Sequence, residues 1–95
     1  MPYSEHRRHT LDSIEQEIES LRVQLEKKRE LRDELNQELL SIGSHTPEGA
    51  DLVALVRTSE RLERQLSEVQ IDMQHIDTRI WRLRHRAERL RHNSY

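Results

Sequence analysis

Twelve consecutive positions in the second half of the chain alternate steps of three and four residues: Leu52, Leu55, Ser59, Leu62, Leu66, Val69, Met73, Ile76, Ile80, Leu83, Ala87 and Leu90. Among them only the small Ser59 is polar. Apolar residues on this spacing fall on one side of an α-helix, whereas the two-residue period of a strand would scatter them over both faces. Sustained over so many turns, the pattern predicts a coiled-coil seam. The first half carries the same frame through Leu11, Ile14, Ile18, Leu21 and Leu25, then Lys28 and Arg32, then Leu35, Leu39 and Ile42. The two charged residues interrupt the stripe without ending it. Each can lay its methylene stem along the seam and keep its charge in water.

Between the two runs lies Ser41-Ile42-Gly43-Ser44-His45-Thr46-Pro47-Glu48-Gly49. Gly43 suits a left-handed helix C-terminus, Thr46 an N-cap and Pro47 a first helical position. Glu48 and Asp51 then put negative charge in the first turn, where the helix dipole favours it. The expected fold is all-α, an antiparallel two-helix coiled-coil hairpin in one domain over residues 1–95. Helix 1 is expected over about 4–42, the turn over 43–46 and helix 2 over about 47–92. In such a hairpin, facing seam residues have numbers with a constant sum. Pairing Ile42 with Leu52 sets it at 94. That choice joins Leu39 with Leu55, Leu25 with Val69 and Ile14 with Ile80, and Glu17 then approaches Arg79 while Glu15 approaches Asp77.

A single seam is a small core. Apolar residues make up 33% of the chain and charged residues 36%, too little apolar volume for an ordinary globule to offset its chain entropy. The hairpin is therefore expected to be completed, by dimerisation or by a partner, into a helical bundle. Leu31, Leu40, Val53, Val56, Ile71 and Trp81 lie off the seam and are the candidate protein-interface residues. Scattered surface apolars are ordinary. A cluster of them toward the turn is the sharper reading.

Charge is unevenly spread. Residues 11–42 hold nine acids and five bases, and residues 43–78 hold seven and three. From Arg79 onward there are six arginines and one glutamate. Folding the hairpin brings Arg7 and Arg8 to the same end as Arg79, Arg82, Arg84, Arg86, Arg89 and Arg91, a basic pole hidden within a net charge of −2. Arginines in a last turn complement the helix dipole, but that effect fades beyond one turn. Arginine also holds phosphate or carboxylate in bidentate fashion, so these eight are candidates for binding an anion or a nucleic acid. Trp81, inside the pole, could stack on a base or anchor a protein contact. Asp12, Glu19, Glu26 and Asp33 form an acidic ridge with a seven-residue repeat on helix 1.

Other chemistry finds little footing. No glycine-rich phosphate loop or nucleophile motif is present, so no catalytic residue, cofactor or small-molecule substrate is expected. Cysteine is absent, and the six histidines show no ligand spacing that would argue for a metal. With no long apolar stretch and no signal-like start, a soluble intracellular protein, cytoplasmic by default, is expected.

Asn36, Ile42-Gly43, Gly49, Asp51, Leu55 and Leu62 are similar in spacing to the tip of the helical arm of seryl-tRNA synthetases. The similarity covers about 30 residues, over turn-forming and heptad positions that unrelated hairpins share. In that family the arm is a long antiparallel hairpin that grips tRNA, so the likeness implies RNA binding. The leading functional expectation is a non-enzymatic adaptor or assembly protein, acting through helix–helix binding to itself or to a larger protein complex. Nucleic-acid binding through the arginine pole is the alternative, and a small helical chaperone a further one.

Overall fold

The computed structural model describes residues 2–44 and 49–93, with side chains from residue 8 onward. It is an all-α hairpin of two helices, α1 (Pro2–Ser44, 43 residues) and α2 (Leu52–His92, 41 residues). Apart from Pro2 at its start, α1 contains no proline, and its one glycine is at position 43, so the backbone meets no breaker along its length.

The reversal differs from the expected one. Gly43 lies inside α1, which continues to Ser44, where the hydroxyl donates to the Leu40 carbonyl at 2.6 Å. The glycine with positive φ is Gly49, at 81°. A residue in that conformation cannot continue a right-handed helix, so α2 begins at Leu52 rather than at Pro47. Its cap is Asp51. The carboxylate Oδ1 accepts from the Val53 and Ala54 amides at 3.1 and 3.3 Å, and the Asp51 carbonyl accepts from the Leu55 amide at 3.0 Å. Asp51 thus satisfies amide groups that the first turn of a helix leaves without partners. Thr46, Pro47 and Glu48, assigned to the helix start from sequence, lie outside the described residues.

The chain divides into two compact units, Lys27–Met73 and Met1–Glu26 with Gln74–Tyr95. In the first, which contains the reversal, the core is Leu35, Leu62 and Val69, with Leu39, Ile42, Leu66 and Met73 packed against it. Leu62 is 2% exposed. In the second, Ile14, Ile18, Leu25, Ile80, Leu83 and Ala87 are buried. Every one of these residues belongs to the heptad frame.

The register is displaced by one heptad from the expected one. In the unit around the reversal, Leu35 joins one cluster with both Leu62 and Val69. It can do so where facing numbers sum to 101, with Leu35 opposite Leu66 and Leu39 opposite Leu62. At a sum of 94, Val69 would face Leu25 instead, ten residues along the helix from Leu35. The Lys28 ammonium reaches the Asp72 carboxylate at 3.0 Å, and those numbers sum to 100. Leu52, the expected partner of Ile42, is 67% exposed.

The unit holding the termini gives the same constant by itself. Two ion pairs join α1 to α2 there, Arg79 with Glu17 at 2.9 Å and Arg91 with Glu15 at 2.5 Å. Their sums, 96 and 106, lie symmetrically about 101. The expected approach of Glu17 to Arg79 is present, whereas Glu15 meets Arg91 and not the repulsive Asp77. Ala87 then lies opposite Ile14, in keeping with the burial of both. A seven-residue shift keeps every a position opposite a d position, so the heptad pattern accepts either register and the longer reversal selects between them.

Candidate interaction surfaces

The off-seam apolar residues proposed from sequence are all exposed: Leu31, Leu40, Val53, Val56, Ile71 and Trp81, together with Val23. Leu52 joins them, and its transfer from seam to surface follows from the register. In the unit around the reversal, Ser44 ends α1 at a level facing residue 57 of α2, so the first turn of α2 has no α1 residue opposite it. Leu52, Val53 and Val56 line one shallow depression on α2 with Arg57 and Glu60. Leu40 lines another on α1 with Leu39, Gly43, Ser44 and Asn36. Leu40, at 69% exposed, is the most open of the large apolar residues described. Leaving four such side chains in water forgoes the stabilisation that burial would bring, on the order of 1.5–3 kcal/mol for each side chain fully covered. Leu31 and Ile71 stand apart from these two depressions.

Within the unit holding the termini, the eight arginines separate by what they touch. Arg79 donates through Nε and Nη2 to Glu17, at 3.2 and 2.9 Å, and Arg91 donates through Nη2 to Glu15 at 2.5 Å. These two hold α2 against α1. Arg89, Arg91 and His92 fall in the last turn of α2, where positive charge offsets the dipole. Arg8 is exposed near the start of α1, and the side chain of Arg7 lies outside the described residues. The side chains of Arg82, Arg84, Arg86 and Arg89 are exposed and make no hydrogen bond or ion pair with another described residue. Arg82, Arg86 and Arg89 line a groove along α2 with Arg79, Trp81, Leu83 and His85. The Trp81 and His85 rings lie 4.1 Å apart between centroids at an interplanar angle of 51°. His85 was not singled out from the sequence as a ring partner, although its separation of four residues from Trp81 is the spacing at which helical side chains meet.

The acidic ridge is exposed throughout but partly answered on its own helix. Arg22 lies 3.7 Å from Glu19, and Arg32 donates to Asp33 at 3.2 Å. Among the described residues no group of three or more His, Cys, Asp or Glu could hold a metal ion, and no helix is long and apolar enough to cross a membrane.

Comparison of the chain with protein-family models, with curated proteins and with solved structures finds no match.

Proposed function

We propose that the hairpin is a coiled-coil assembly module that works by helix–helix binding, without catalysis, and that its first occupant is a second copy of the same chain. The observation that carries this reading is the uncovered start of α2. Leu52, Val53 and Val56 form an apolar strip with no α1 residue opposite them, and Leu40 adds to the apolar surface of the same unit. A twofold interface requires only a patch that complements itself. Two copies juxtaposing these segments form a four-helix arrangement and bury the side chains that one hairpin leaves in water.

Sedimentation equilibrium over a wide concentration range tests this directly. The chain of 11.5 kDa is expected to sediment at twice its mass. The double substitution Val53→Glu with Val56→Glu is expected to return it to the monomer with helix content unchanged, because neither side chain belongs to the seam. A monomer at every concentration, or a dimer indifferent to both glutamates, contradicts the reading.

A further inference from the structure

We infer that the groove on α2 lined by Arg82, Arg86, Arg89, Trp81 and His85 is a binding site for single-stranded nucleic acid, read through its phosphates and one stacked base. Three observations converge on it. First, Arg82, Arg86 and Arg89 recur at steps of four and three, which sets them along one side of α2 over about 10 Å of helix axis. None of their guanidinium groups has a hydrogen-bonding or ion-pairing partner among the described residues, in contrast to those of Arg79 and Arg91 in the same unit. Unanswered like charges held this close repel one another, and a polyanion relieves that repulsion. Second, the dipole of α2 accounts for Arg89 but not for Arg82 and Arg86, which precede the last turn. Third, Trp81 is 62% exposed with its ring set against His85, so an aromatic surface stands in solvent beside the arginines.

Carboxylates on an acidic helix would also pair with arginine, and the Trp81 ring decides between the two ligands. A base offers a π-face to stack on the indole, which an acidic side chain lacks. A single strand presents such faces, whereas a duplex keeps them inside its own stack. The acidic ridge of a second copy is a poorer match, because Arg22 and Arg32 already meet Glu19 and Asp33 within α1. Contacts made chiefly to phosphate and by stacking tolerate any sequence.

The test titrates the full chain into a labelled mixed-sequence single-stranded RNA oligonucleotide, and then its DNA counterpart, following anisotropy and Trp81 emission together. Saturable binding with a change in Trp81 emission is expected. Three phosphate contacts should weaken it roughly 20-fold between 50 and 200 mM salt. Arg82→Ser, Arg86→Ser and Arg89→Ser combined should abolish it, and Trp81→Ala should weaken it about tenfold by anisotropy. Circular dichroism of each variant should match the parent, since none of the four side chains belongs to the seam. The dimer-breaking Val53→Glu, Val56→Glu variant should still bind, so failure of one proposal is separable from failure of the other. No binding at 50 mM salt overturns the inference. So does equal competition by duplex DNA or polyglutamate with Trp81 emission unmoved, which would mark a docking site for acidic protein.

Discussion

Gly43 and Gly49 are the same residue under opposite demands. Gly43 lies within α1, its φ is not positive, and a Cβ added there meets nothing within 4 Å. Gly49 also has open space around it but holds φ at 81°. Alanine at 43 removes backbone entropy from the unfolded chain and suits a helix, so Gly43→Ala should stabilise the protein by roughly 0.5–1 kcal/mol. Alanine at 49 strains the backbone, so Gly49→Ala should cost about 1–2 kcal/mol. Urea unfolding of the two variants reads this out. Loss of stability at 43 with none at 49 would return the left-handed turn to Gly43. From sequence the two glycines looked alike, and proximity to the end of the first heptad run favoured the wrong one. The signal that identified the true site was Asp51 two residues beyond Gly49, a capping carboxylate just before a renewed apolar run.

At the scale of the helices, the heptad frame was legible almost completely. Of the 22 seam positions read from sequence, Leu52 alone is exposed, and the rest are buried or half-buried. Lys28 and Arg32 behave as long side chains in a seam should, half-buried along their stems with charges at the edge, Lys28 on Asp72 and Arg32 on Asp33. Their environments differ in one respect. Lys28 answers a carboxylate on the opposite helix, whereas Arg32 bonds only its chain neighbour. Arg32 in its register position faces the buried Val69 with only its methylene stem, its charge lying at the edge, so a leucine there would add apolar contact to the seam. Arg32→Leu is accordingly expected to raise stability by about 1 kcal/mol, half the burial of a leucine side chain. Thermal unfolding should show a rise of several degrees, and a fall would mean that the charge at 32 supports the fold.

For the molecule as a whole, the architecture followed from periodicity and the register did not. Heptads fix which residues face inward but repeat identically after seven residues, so sums of 94 and 101 satisfy them equally. The length of the reversal breaks the tie, through Gly49 and Asp51, and its consequence is functional. The displaced register leaves Leu52, Val53 and Val56 beyond the last residue of α1, and these are the side chains on which the proposed self-assembly rests. The candidate surface was therefore half legible. The exposure of Leu40, Val53 and Val56 was expected from their place off the seam, while that of Leu52 required the turn.

The absence of cysteine allows the register to be measured by disulfide formation without background. Two variants suffice, one with cysteine at 39 and 62 and one with cysteine at 39 and 55. Facing side chains in a seam come close enough to oxidise, whereas a seven-residue displacement separates them by about 10 Å along the axis, beyond disulfide reach. Rapid, intramolecular oxidation of Leu39→Cys with Leu62→Cys, and its absence for Leu39→Cys with Leu55→Cys, is the result expected of a hairpin closed within one chain at the displaced register. Oxidation of the 39–55 pair instead would contradict the displaced register, because it would cover Leu52 with Ile42 and bring α1 level with the start of α2 that the proposed assembly takes to be uncovered.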